Sequence, residues 1–241
     1  KNLINRYEKV QTGLLRQHFG KPTVQAEYSD DRVSKRLGPK TFKVPEDWEI
    51  TQIEEVGEIV TGDTPSTKNE AYFGGDLPFV TPGDFGENKY VYQGSRGLSY
   101  KGREQARPIP ENSVLVDCIG MDMGKVRIAG REIATNQQIN SVIVNTDEMS
   151  PEFLYYHIRA ISNLIKSQAG QTRTPIVNKG QFASFEIFKP PVSVQEDIVD
   201  SLTAFDEIIE KESEYATQLK RLKRGLMQDL LSGTIRTTDT N

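Results

Sequence analysis

The apolar pattern of this chain changes period near residue 191. Between residues 41 and 192, short apolar runs of strand length alternate with Gly, Pro, Asp and Asn punctuation, which predicts strands over 55–60, 77–81, 113–118, 125–129, 141–144 and 185–188. One stretch inside this region breaks the pattern. After Ser150 and Pro151, the sequence EFLYYHIRAISNLIKSQ places Phe153, Leu154, Tyr156, His157, Ile158, Ile161, Leu164 and Ile165 at helical spacing. Ser150 suits the N-cap and Pro151 the first helical position. These elements predict a mixed α+β, strand-rich domain.

From Ser193 to Gly233 the period becomes that of one long amphipathic helix. Ser193 and Glu196 have capping-box spacing after Pro190 and Pro191, and Gly233 suits the C-terminal stop. Leu202, Ile209, Ala216 and Leu230 fall seven or fourteen residues apart, interleaved with Phe205, Leu219 and Leu226. Glu212 and Lys223 interrupt this seam, and Ile208, Tyr215 and Leu222 widen it. Such a stripe predicts pairing with another long helix, against the plainer alternative of a terminal helix packed on its own domain. The helix-pairing residues expected are Leu202, Phe205, Ile209, Leu219, Leu226 and Leu230.

The same pattern opens the chain. Residues 3–19 overlie 215–231, with Gly13 on Gly225, Leu14 on Leu226, Tyr7 on Leu219, Val10 on Leu222, Leu15 on Met227 and Phe19 on Leu231. A mid-helix glycine costs about 1 kcal/mol against alanine, so its reuse points to close helix–helix approach. The chain begins at Lys1, and its start reads as the tail of a preceding helix in a longer repeated protein. Expected boundaries are 1–20 for that tail, 21–40 for a polar linker, 41–192 for the domain, 193–233 for the long helix and 234–241 for a polar tail.

Composition suits a globular protein: 36% hydrophobic and 27% charged, with no apolar run of membrane-spanning length and no signal-peptide pattern. A cytoplasmic location without membrane contact is the default. Cys118, in the run VLVDCIG, is the one cysteine; it excludes an intrachain disulfide and reads as a buried small residue. The net charge of −4 argues weakly against nucleic acid, but Lys and Arg are in excess over residues 1–40 while the first half of the long helix is acidic.

Catalytic chemistry is poorly supplied. His18 and His157 have no partner at metal-ligand spacing, and His157 reads as a helix-packing residue. Asp117 and Asp122 are near each other, as chance allows in an acidic chain, and GMDMGK lacks the spacing of a phosphate loop. No metal, catalytic residue or cofactor is expected. Binding is better supplied. Four loops, 61–75, 88–107, 134–141 and 169–182, carry the Asn, Gln, Arg, Lys, Ser and Thr side chains that read base edges, with Tyr90, Tyr92 and Tyr100 interleaved. Expected DNA contacts are Lys68, Arg96, Lys101, Arg103, Asn136, Gln137, Gln138, Gln171, Thr172, Arg173, Asn178 and Lys179. Arg173 is the first choice for a base contact, and Lys101 and Lys179 suit phosphates. For Asn136 to Gln138 the alternative stays open that these amides hold their own loop.

The order of motifs resembles the specificity subunit of type I restriction–modification systems. VPEDWEITQIEEVGEIVTGDTPSTKNEAYFGGDLPFVTPGD resembles the start of that family's target recognition domain, and IPENSVLVDCIGMDMGKVRIAGREIATNQQINSVIV its central stretch. EFLYYHIRA, NKGQFASFEIFKPPVSVQEDIVDSLTAFDEIIEK and LKRGLMQDLLSGTIR resemble the domain's end and the family's conserved-region helix. PPVSVQ stands where a Pro-Glu-Gln triplet is expected, and DCIGMDMGK replaces a plainer turn.

The resemblance implies one target recognition domain followed by a helix that forms an antiparallel coiled coil. It implies a C-terminal half or a half-length subunit that reads one half of a bipartite target in double-stranded DNA. Implied partners are modification (methyltransferase) subunits, which would bind S-adenosylmethionine, a restriction subunit, and a second copy or other half of the specificity subunit. The chain itself would be non-catalytic. A coiled-coil scaffold with a protein-binding globular head is the rival reading, and an enzyme with an unrecognised site a second.

Overall fold

A computed structural model describes residues 32–121, 123–169 and 174–232. The segment expected as an opening helix, the expected linker up to residue 31, Asp122, residues 170–173, Gly233 and the expected polar tail lie outside the described residues. The described residues fall into two units, a head that runs through Val199 and a helical unit from Asp200.

In chain order the head contains β1 (Arg32–Leu37), β2 (Lys40–Pro45), β3 (Glu49–Gln52), β4 (Gly57–Thr61), β5 (Phe73–Val80), β6 (Tyr90–Val91), β7 (Arg96–Leu98), α1 (Tyr100–Arg103), β8 (Val114–Asp117), β9 (Val126–Ala129), β10 (Ala134–Thr135), β11 (Ile139–Val144), α2 (Pro151–Gln168), α3 (Lys179–Ala183) and β12 (Glu186–Lys189). The helix α4 (Val192–Leu231) follows. This is the mixed α+β, strand-rich domain with a long following helix that the sequence predicts.

A five-stranded sheet in the order β4-β11-β8-β9-β6 organises the head. Its pairings are antiparallel except β6 with β9. A three-stranded sheet, β10-β5-β7, flanks it, and their shared core includes Val80, Phe85, Val91, Ile109, Leu115, Ile133 and Ile139. All four residues of β8 are buried, as a central strand covered on both faces must be. The helix α2 packs on β8 and β9. It starts where predicted: Ser150 Oγ accepts from Phe153 N–H at 3.3 Å, with Pro151 at the first helical position.

A second core forms around Phe188 on β12. Its ring meets Phe42 edge-on at 5.5 Å and Trp48 at 6.0 Å, with the His157 ring 5.8 Å away. This core corrects the linker expected over 21–40. Residues 32–37 pair with 40–45 as an antiparallel hairpin, because Leu37, Phe42 and Val44 have a buried face to fill. His157 is fully buried, and its Nε2 accepts from the Phe188 N–H at 2.9 Å. Burial pushes its imidazole down to about 3, so it is a neutral packing residue at ordinary pH. That is the role its helical position suggested.

The long helix starts slightly earlier than expected. The Pro191 carbonyl accepts from both Val194 and Gln195 N–H, at 2.9 and 3.0 Å, so Ser193 lies inside the first turn and not at its cap. The Gln195 side chain is buried and links two loops: Nε2 donates to Glu148 O and Pro190 O, and Oε1 accepts from Ser150 N–H. Of the six expected pairing residues, Leu202 is buried, Phe205 and Ile209 are half-buried, and Leu219, Leu226 and Leu230 are exposed. At 1.5 Å per residue, the 40 residues of α4 extend about 60 Å.

Candidate nucleic-acid interface

The strand directions bring the polar loops together. In the antiparallel part of the large sheet, β4 ends at Thr61, β11 begins at Ile139, β8 ends at Asp117 and β9 begins at Val126. All four termini therefore lie at one end of the sheet, and the loops that leave them are neighbours.

Main-chain bonds tie those loops to one another. Gly62 N–H donates to Ile139 O at 3.1 Å and Asn136 N–H to Val80 O at 3.2 Å. Cys118 N–H donates to Gln138 O at 2.8 Å. Gly120 N–H donates to Pro175 O and Val177 N–H to Cys118 O, both at 2.9 Å. Side chains add two ties: Thr61 Oγ1 to Asn140 Oδ1 and Thr64 Oγ1 to Gln137 Oε1, each at 2.6 Å. Gly62 is required here, because a Cβ would overlap the Asn136 carbonyl and the Thr135 hydroxyl. The loops at 62–69, 118–121, 136–138 and 174–178 thus form one surface.

The expected contact residues divide on this surface. Lys68, Gln137 and Lys179 are exposed on it. Asn136 and Gln138 hold their own loop: Asn136 Nδ2 donates to Gln138 Oε1 at 2.8 Å, and Gln138 N–H donates back to Asn136 Oδ1 at 3.2 Å. Asn178 caps α3, its Oδ1 accepting from Gln181 N–H at 2.9 Å while Gln181 Oε1 accepts from Asn178 N–H at 3.0 Å. Its carboxamide oxygen is already committed to that cap. Gln171, Thr172 and Arg173 lie outside the described residues.

The 88–107 segment is built differently. Arg96 is exposed on β7, with its guanidinium 5.8 Å from the centre of the Phe73 ring. Lys101 is exposed on α1. Arg103 is engaged: its two terminal nitrogens meet Glu132 at 2.5 and 2.6 Å, so the fork that would read a guanine is filled by a carboxylate. The hydrogen bond to Glu132 raises Arg103 and lowers Glu132 from their ordinary values, a consistent pair. Arg107 is the member of this segment that reaches the loop surface, donating to Thr61 O at 3.0 Å.

Sequence reasoning missed two apolar residues here. Met121 stands 81% exposed at the tip of the 118–124 turn, and Ile176 is 48% exposed on the strand segment bridged to Ile119. Apolar side chains displayed from polar loops can contact thymine methyl groups. The signal was GMDMGK itself: Met123 is buried as an anchor, so the other methionine has to face outward. Cys118 is buried beside this turn, and burial pushes its thiol up to about 12, the inert behaviour expected of it. Among the described residues, no group of three or more His, Cys, Asp or Glu could hold a metal ion. No helix among them is long and apolar enough to cross a membrane.

The family model for the type I restriction modification DNA specificity domain matches residues 45–221. The chain belongs to this family. Its relatives in the type I specificity family include the MjaIX specificity subunit of Methanocaldococcus jannaschii, 30% identical over 193 residues that make up 78% of this chain and 44% of that protein. The HindI specificity subunit of Haemophilus influenzae is 35% identical over 152 residues, 61% of this chain and 33% of that one. The fold agrees as well. The HsdS subunit of Thermoanaerobacter tengcongensis superposes with a TM-score of 0.63 at 16% identity, covering 95% of this chain and 51% of that one. A chain from a type I R-M system solved for its complex assembly and conformational transition gives 0.67, also at 16% identity, covering 95% and 52%. The chain therefore spans about half the length, or less, of the specificity subunits it matches.

Proposed function

We propose that this chain is a sequence-specific DNA-binding portion of a type I restriction–modification specificity subunit, reading one half of a bipartite target. The observation that carries this reading is the loop surface at one end of the five-stranded sheet, where main-chain bonds tie together the loops that carry Gln137, Met121 and Ile176, with Lys68 and Lys179 exposed on adjoining segments, in a chain of the specificity family. Rigid backbone placement is what side chains need to meet base edges in register.

In this reading the long helix pairs with a second copy of the chain or with the other half of the subunit. Its length then fixes the gap between half-sites, as protein geometry does in other dimeric DNA readers. Modification subunits supply S-adenosylmethionine and the base-flipping chemistry, a restriction subunit supplies cleavage, and this chain contributes recognition alone. Purified alone with S-adenosylmethionine, ATP and magnesium, it should neither methylate nor cleave DNA.

Footprinting of the complete methyltransferase on a random-site DNA pool tests the reading. A split motif with one half assigned to this chain is the expected result. Binding that does not weaken between low and moderate salt would instead favour a protein-binding head on a coiled-coil scaffold.

A further inference from the structure

Beside the loop surface, the face where α2 meets β9 gathers three cations that take part in no ion pair. Arg127 on β9 is half-buried. Its Nε and one terminal nitrogen bond Gly86 O, its other terminal nitrogen bonds Val126 O at 2.6 Å, and the guanidinium stands 5.8 Å from the Phe85 ring centre. Arg159 on α2 lies over Tyr155 at 5.2 Å and donates to its hydroxyl at 2.8 Å. Tyr155 is itself buried and gives that guanidinium a fixed seat. The two arginines are close enough to act on each other. Burial pulls Arg127 below its ordinary value; Tyr155 opposes this, Arg159 adds to it, and Glu87 opposes it.

Arg159, Ser162 and Lys166 share one face of α2, spaced three and seven residues apart. That face runs along residues 124–127. A Cβ on Gly124 would lie 2.9 Å from Lys166 Cε and 3.3 Å from Ser162 Cβ, so the Lys166 stem lies across the glycine. Gly124 closes the 118–124 turn, donating to Asp117 O at 2.7 Å. The row Arg127–Arg159–Lys166 therefore leads directly into the reading loops. Among the described residues, the ion pairs are Arg103 with Glu132 and Lys189 with Glu148, and none of these three cations takes part in one. Glu87 acts on Arg127 only through space, so in a chain of net charge −4 these three neighbouring cations, none of them in an ion pair, can still accept an anion.

We propose that Arg127, Arg159 and Lys166 form a track for the phosphodiester backbone of one DNA strand, flanking the bases that the loops read. The proposal rests on the DNA-reading function above. From Arg159 to Lys166 the helix rises about 10 Å, the length of about three nucleotides of one strand. Charge complementarity calls for a polyanion, and continuity with the loop surface selects DNA over an acidic protein surface. Such contacts hold the domain in place without telling one sequence from another.

The test is salt-dependent binding of the full chain, assembled with its modification subunits, to cognate and random duplexes. Each phosphate contact contributes about 0.9 to the slope of log affinity against log salt. The double variant Arg159→Gln, Lys166→Gln should lower that slope by about 2 and weaken cognate and random DNA by the same factor. Lys166 is exposed, so Lys166→Gln alone keeps the test valid if the double variant folds poorly, and it should remove about 1 from the slope. An unchanged slope with intact wild-type binding overturns the track and leaves the reading function standing. Unchanged DNA binding with weakened subunit assembly assigns the row to an acidic protein surface and also overturns it. A wild-type assembly that binds no duplex overturns the reading function and the track together.

Discussion

The head and the distal half of the long helix treat the same kinds of side chain in opposite ways. In the head, Phe153, Tyr156, Phe182 and Phe188 are fully buried, and β8 has no exposed residue. In the helix, Leu219 and Leu226 keep 47% and 48% of their surface. A folded domain withdraws apolar area from water at roughly 25 cal/mol per Å², and the distal helix leaves much of that gain unrealised. The head is complete as a packed object. The distal helix carries an exposed apolar stripe.

The sharpest way to break this contrast is to charge the helix. Leu219→Asp with Leu226→Asp should abolish self-association or pairing in sedimentation, since burying unpaired carboxylates costs several kcal/mol. The urea midpoint of the head should not move. Unchanged assembly would mean that the stripe meets water in the working protein.

The next effect is acid sensitivity of the head. Folded His157 stays neutral down to about pH 3, while the unfolded residue takes up a proton near 6.5. Stability from this site is fully present above 6.5 and falls as pH drops from there toward 3. His157→Gln keeps an acceptor for the Phe188 N–H and should flatten the pH dependence of urea unfolding across that window. Parallel curves for the two proteins would count against a buried neutral imidazole.

Smaller changes sharpen the contrast within the loop surface. Gln137→Ala should cost about 1–3 kcal/mol of discrimination between cognate and random DNA in a competition assay, with thermal stability unmoved. Asn178→Ala should do the reverse, costing about 1 kcal/mol of stability through the lost cap of α3 and leaving discrimination intact. If Asn178→Ala instead erased sequence preference, its role would be contact and not capping.

These assignments also mark where sequence reading succeeds. The helix α2 was legible because its period, its Ser150 cap and Pro151 agree locally. The long helix was legible for the same reason, to within two residues at its start. The β1–β2 hairpin was not. RVSKRL looks like a solvated basic segment, and it becomes a strand only because Phe42 across the hairpin finds Phe188 some 150 residues later. β6, β7 and β10, of two or three residues each, are too short to carry any period. Composition picked out four polar loops, and described parts of three of them lie together at one end of the large sheet. It could not tell Gln137, which faces outward, from Asn136 and Gln138, which bond each other, because that choice is set by chain geometry. Nor could it foresee that Glu132 occupies Arg103.

The ties that hold the loop surface together have a consequence for how such a protein changes over generations. Most of them run from amide to carbonyl: Gly62 to Ile139, Asn136 to Val80, Cys118 to Gln138, Gly120 to Pro175. Apart from the glycines, those bonds do not ask which side chain a position carries. Lys68, Met121, Ile176 and Lys179 can therefore be exchanged while the frame beneath them stays fixed, whereas Gln137 also gives up its bond from Thr64. The platform works like a type case, in which new letters are set without recasting the tray.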